Sequence, residues 1–184
     1  MTGRLSGHVA LAGSVALVLI LAGCGGGDSV QIPEPEVATS IVVTAPAFAD
    51  GQAIPRQYTC KGTGESPELQ WQRVPREAAS LALVVSDPDA PGGTFVHWVL
   101  YDLPARDGGL ASGGPPAGAR EADNSGGKKG WYPPCPPSGT HHYVFTVYAL
   151  DGEVGGGSTQ KILDDIGRRA IARGELTGLV SAGG

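Results

Sequence analysis

With 184 residues, 13 Lys+Arg against 18 Asp+Glu and a formal net charge of −5, the chain has room for one domain with a real core and lacks the basic surplus of a nucleic-acid binder. Charged residues are only 17%, and 30 Gly with 15 Pro approach the composition of disordered tracts, yet hydrophobic residues reach 41% and fall in short clusters. Clusters rich in Val, Leu, Tyr and Trp between Gly/Pro loops fit an all-β-dominated domain better than a bundle or a βαβ array, and they place function in the loops.

At the start, Arg4 precedes an uncharged apolar run from Val9 to Ala22 that closes on Leu21-Ala22-Gly23-Cys24. Residues 1–23 read as a secretory signal peptide. The run is too short to span a hydrocarbon layer of about 30 Å, so a retained transmembrane helix is the weaker reading. The tetrapeptide resembles a bacterial lipobox, which implies cleavage before Cys24 and lipidation of its thiol. The protein is then expected to be exported and lipid-anchored in a bacterial cell envelope, at the periplasmic face of the outer membrane if the cell has one. Residues 24–39, rich in Gly, Pro and Glu, lack hydrophobic periodicity and read as a flexible tether, with the folded domain over 40–184. Loss of the leader removes Arg4 and shifts the charge from −5 to −6, so contact with a membrane is expected through Cys24 and not through charge. The two other thiols, Cys60 and Cys135, are an even pair in an oxidising compartment; one disulfide and two free buried thiols both fit.

Along the domain, Ile41 to Thr44 is a short β-rich run, and Leu81-Ala82-Leu83-Val84-Val85 is the continuous apolar run of a strand buried on both faces. In the next strand, Thr94 to Leu103, alternation puts His97 on the face of Phe95, Val99 and Tyr101. Gly108 to Gly139 is crowded with Gly, Pro and Ser, a length at which loops are usually functional. In the strand from His141 to Leu150, His141 and Tyr143 share the face of Phe145, Val147 and Ala149, placing two polar groups at the end of the core. Gln160 to Arg173 carries Ile162, Leu163, Ile166, Ala170 and Ile171 on one helical face, with Ser158 or Thr159 as N-cap and Gly174 after the last turn.

The chemistry-bearing residues gather around these strand ends. His8 leaves with the leader, so the surviving histidines are His97, His141 and His142. Asp87 and Asp89 emerge where the buried run ends, in Asp87-Pro88-Asp89-Ala90-Pro91, whose prolines stiffen the turn. The turn reads either as an ordinary surface Asp-Pro turn or as a mount that faces two carboxylates to the histidines.

Asp87-Pro88-Asp89-Ala90-Pro91, then His97-Trp98-Val99, then Pro134-Cys135-Pro136-Pro137-Ser138-Gly139-Thr140-His141-His142-Tyr143 resemble the phosphatidylethanolamine-binding protein family, in its bacterial Raf kinase inhibitor-like branch. Tyr58-Thr59-Cys60, Ser66-Pro67, Trp71 and Asn124-Ser125 extend the resemblance, which spans about Ile41 to Leu150. It implies a Greek-key antiparallel β-sandwich with a C-terminal helix and a small anion pocket lined by Asp87, Asp89, Pro91, His97, Cys135, His141 and Tyr143. Imidazoles, a phenol and loop amides can donate to phosphate oxygens while carboxylates orient the rings and favour their protonation. His142, of opposite parity to His141, is expected outside the pocket. The chain departs from the family where His142 replaces the usual Arg, and where Leu176 to Val180 lacks an aromatic.

The leading expectation is therefore a lipid-anchored, non-enzymatic binding protein for a phosphate or phosphorylated headgroup, without cofactor. No G-x-S-x-G elbow, phosphate loop, C-x-x-C or H-E-x-x-H pair occurs. The alternative is a protease or other enzyme inhibitor acting on an unknown protein target through the proline-rich loop Trp131 to Pro137. A metal site from Asp87, Asp89, His97 and His141 is chemically reasonable, but nothing in the spacing of those ligands requires one.

Overall fold

The computed structural model describes residues 1–3, 30–38 and 40–183. The apolar leader and Cys24 lie outside the described residues. Among the described residues, two sheets, one α-helix and a short 3-10 turn at Arg56–Tyr58 make up the body. In chain order the elements are β1 (Val42–Thr44), β2 (Gln52–Ala53), β3 (Leu69–Gln72), β4 (Ser80–Asp87), β5 (Phe95–Pro104), β6 (Gly108–Leu110), β7 (Arg120–Glu121), β8 (Thr140–Leu150), α1 (Thr159–Arg169) and β9 (Ala170–Ser181).

β1, β3 and β6 form a small sheet in the order β1-β3-β6, and the large one runs β2-β9-β8-β4-β5-β7. Every pairing is antiparallel except the short contact of β2 with β9. The large sheet is covered twice. One face packs Leu81, Leu83, Val85, Phe145 and Val147 against Val43, Leu69 and Trp71 of the small sheet. The other packs Ala82, Val84, Val99, Tyr148 and Leu150 against Ile162, Leu163 and Ile166 of α1. A central strand covered on both sides has no polar face to keep, which is why β4 reads as an unbroken apolar run. Each fully buried Leu, Ile or Val contributes roughly 1.5–3 kcal/mol.

The helix begins as expected, with Ser158 as N-cap accepting from the Lys161 amide. It ends at Arg169, four residues before the end read from sequence, because Ala170 turns extended and enters β9. β9 pairs with β8 from Thr140↔Ser181 to Leu150↔Ala170, and that ladder outweighs a weak helical preference in Ala170 to Arg173. Gly174 is thus a strand residue and not the helix terminator. A Cβ there would stand 2.0 Å from the Ile41 carbonyl oxygen, and one on Gly178 would stand 2.4 Å from Ile54, so both glycines serve close packing.

The segment read as tether is laid against the body over residues 30–38. Val30 and Ile32 pack on the helix-side core. The Gln31 amide donates to Gln160, Tyr148 donates its hydroxyl to the Pro33 carbonyl at 2.8 Å, and Glu34 pairs with Arg173. Ala38 bridges to Ala172. Extended chain along the open part of the β9 edge gains both apolar contact and backbone pairing.

Candidate functional site

Three strand ends meet at one rim of the large sheet. β4 runs out at Asp87, opposite Phe95 of β5, while Ser86 pairs with Val144 near the start of β8. His97 reaches this rim through a β-bulge. Val85 pairs with Trp98 but Ser86 pairs with Val96, so His97 is the extra residue and shares the small-sheet side with Trp98. This overturns the alternation that placed it with Val99 and Tyr101, which face the helix. Bulges near sites re-aim a side chain in this way.

Asp87 is the hub. Its Oδ2 accepts from His141 Nδ1 at 2.8 Å, with both side chains buried. Its Oδ1 accepts the Asp89 amide at 2.9 Å, closing an Asx turn across Pro88. Tyr143 lines the same floor, with its hydroxyl end beside Asp87 and Cys135. Burial first, and then Asp87, push the Tyr143 pKa well above the usual phenol range.

His97 is held by the loop that carries Tyr132. The Tyr132 amide donates to the His97 carbonyl at 2.9 Å, and His97 Nδ1–H donates to the Tyr132 carbonyl at 2.6 Å. The tautomer follows, since a carbonyl only accepts. Phe95, Tyr132 and Tyr143 crowd the ring, with centroids 4.9–5.8 Å away. Burial lowers the His97 pKa despite the Tyr132 carbonyl and Asp87, which favour the proton, and His141 adds to the lowering. The expectation that carboxylates favour imidazole protonation thus fails at His97, where desolvation outweighs them.

The loop itself is organised by Asn124, a buried residue whose part in the site the sequence did not reveal. Asn124 Oδ1 accepts from the amides of Gly126 and Lys128, and its Nδ2 donates to the Gly130 carbonyl. Ser125 and Val96 exchange two further bonds, Ser125 N–H to the Val96 carbonyl and Val96 N–H to Ser125 Oγ. Beyond Tyr132, Cys135 is disulfide-bonded to Cys60, and the Cys60 amide donates to the Pro134 carbonyl.

These parts enclose a cleft of about 310 Å³. Its polar floor is Asp87, His97, His141 and Tyr143. Pro91 and Phe95 wall one side, and Tyr132, Cys135, Pro136 and Pro137 the other. Of the seven residues expected to line it, only Asp89 is elsewhere. The Asx turn swings Asp89 outward, where its Oδ2 accepts from both the amide and Nδ1 of His142 at 2.7 Å. Those bonds hold the Asp89 carboxyl below its usual pKa. His142 stands outside the cleft on the other face of β8, as its parity requires. With Asp89 drawn away, the four-residue metal set is split, and among the described residues no group of three or more His, Cys, Asp or Glu side chains stands ready to hold a metal. A larger groove of about 640 Å³ crosses β3 and β6, but Glu68, Gln70, Gln72 and Asp107 give it only the polar groups of a solvated sheet face.

The family model described as "Phosphatidylethanolamine-binding protein" matches residues 44–181. The chain is 43% identical over 167 residues to "Putative lipoprotein LppC" of Mycobacterium tuberculosis, covering 82% of this chain and 83% of that one. It is 40% identical over 145 residues to a UPF0098 protein of Methanothermobacter thermautotrophicus, covering 74% of this chain and 96% of that one. Two crystal structures share the fold, each covered over 99% of its length by 78% of this chain. The phosphatidylethanolamine-binding protein homologue of Chlamydia trachomatis has a TM-score of 0.73 at 38% identity. YbcL of E. coli, described as a new member of the mammalian PEBP family, has 0.72 at 30%. The strand order, the rim cleft and these likenesses agree: the chain belongs to the phosphatidylethanolamine-binding protein family.

Proposed function

We propose that the protein is a lipid-anchored, non-enzymatic binding protein of the bacterial cell envelope whose cleft takes a phosphate or phosphorylated headgroup. The convergence of the Asp87–His141 pair with His97 and Tyr143 at the floor of one cleft carries the reading. A protonated His141, backed by Asp87, offers Nε2–H and a positive charge to an anion. The apolar walls suit the organic part of a headgroup.

Anchoring is supported by the lipobox-like Leu21-Ala22-Gly23-Cys24 and by the lipoprotein name of the mycobacterial relative. No helix among the described residues is long and apolar enough to cross a membrane. For the inhibitor reading the loop from Trp131 to Pro137 offers only its exposed residues Tyr132, Cys135 and Pro137, since Trp131 packs on the core and Pro134 is buried.

The test is inorganic phosphate in thermal unfolding of the protein and of His141→Ala. Phosphate at about 100 times its Kd adds about 2.7 kcal/mol, a rise of roughly 5–10 °C in a domain of this size. A rise that is absent from wild type, or that survives His141→Ala unchanged, removes the reading. Partition of the full chain into detergent, lost in Cys24→Ala, tests the anchor.

A further inference from the structure

The cleft floor is short of hydrogen-bond donors. Neither Lys nor Arg lines it, and three of its wall residues, Pro91, Pro136 and Pro137, have no amide hydrogen. Several of the remaining donors are committed within the protein. The Tyr132 amide is spent on the His97 carbonyl. His97 gives Nδ1–H to the Tyr132 carbonyl, and His141 gives Nδ1–H to Asp87.

What the rings leave for a ligand is Nε2 of each. His97 is 3% exposed, and its Nε2 has no partner among the described residues. With Nδ1–H given to the Tyr132 carbonyl, the neutral ring presents a lone pair at Nε2 and accepts there, and burial disfavours the charged form. The titratable groups facing it are Asp87 and His141. A buried acceptor left unpaired in a complex costs affinity, so a site of this kind rejects a ligand that cannot donate to it.

We propose that the cleft selects oxyanions that bring their own hydrogen, with His97 Nε2 as the acceptor that reads it. Inorganic phosphate and phosphomonoesters, which carry an O–H when singly ionised, are taken. Sulfate, of the same shape but without that hydrogen, and phosphodiesters, whose oxygens are all alkylated or ionised, are refused. This rests on the reading of the cleft as a phosphate site and sharpens it to the monoester class.

Calorimetric titration of the protein at about pH 6 with inorganic phosphate, sulfate and dimethyl phosphate tests it. Phosphate should bind about 10- to 100-fold more tightly than either of the others. Sulfate binding within about threefold of phosphate overturns the proposal while leaving the cleft an anion site. No binding of phosphate or sulfate overturns the phosphate-site reading beneath it. His97→Gln, whose amide can present N–H to the ligand, should bring the phosphate-to-sulfate ratio close to one, and an unchanged ratio also counts against His97 as the reader. If that variant does not fold, the wild-type ratio decides.

Discussion

Replacing Cys60 and Cys135 together by serine opens a crosslink that spans a sequence separation of 75. In the chain-entropy account such a span removes roughly 15 cal/mol/K from the unfolded ensemble, about 4.5 kcal/mol near room temperature. A domain of this size loses about 2–4 °C per kcal/mol, so thermal unfolding should fall by roughly 9–18 °C, and reductant should lower wild type by the same amount. Circular dichroism on both forms measures it. The cleft should suffer less than the fold. The Cys60 amide still donates to the Pro134 carbonyl and Pro134 stays buried, so the wall remains near its place and phosphate affinity should change by less than about threefold. A stability loss under about 1 kcal/mol refutes the crosslink's role, and a loss of affinity beyond about tenfold refutes Pro134 as the anchor of the wall.

Three further outcomes are expected. Unfolded His97 ionises at its ordinary value of 6.5 and the folded residue lower, so the unfolded chain binds the proton first. The stability His97 contributes is full above that value and is lost as pH falls through it; melting curves of His97→Gln between about pH 7 and 5 should therefore decline less than wild type, and equal slopes contradict a neutral buried ring. Asn124→Ala leaves the amides of Gly126 and Lys128 and the Gly130 carbonyl without their partner, which should cost about 1–3 kcal/mol in denaturant unfolding and release Tyr132 from His97, seen as faster amide exchange at Tyr132. Gly178→Ala drives a methyl into Ile54 and Phe48 and should destabilise by about 1–3 kcal/mol, whereas an unchanged midpoint would mean that the two chains are not in close approach.

What could be read from the chain beforehand depended on whether local pattern and tertiary demand agreed. β8 alternates without interruption, so the placement of His141 and Tyr143 at the core's end followed directly, as did the exposure of His142. His97 did not follow, because period-2 counting assumes no bulge and the bulge exists only in the pairing of β4 with β5. Asp89, placed in the pocket by the resemblance, lies elsewhere because the Asx turn across Pro88 aims its carboxylate out to His142. β9 was partly read as helix since Gly174 and Gly178, needed for close approach, erase the strand pattern. The alternation of Val30 and Ile32 was a usable sign of docking within the supposed tether, hidden by the surrounding Gly, Pro and Glu.

The central claim is that His97 and His141 face one cleft and meet one phosphate, and nitrogen-detected NMR of the imidazoles tests it most directly. Without ligand, His97 should show a protonated Nδ1 and a bare Nε2; inorganic phosphate should then move the Nε2 signals of His97 and His141 together and leave His142 unmoved. Phosphate that shifts only His142, or a His97 ring protonated at Nε2 alone, contradicts the account.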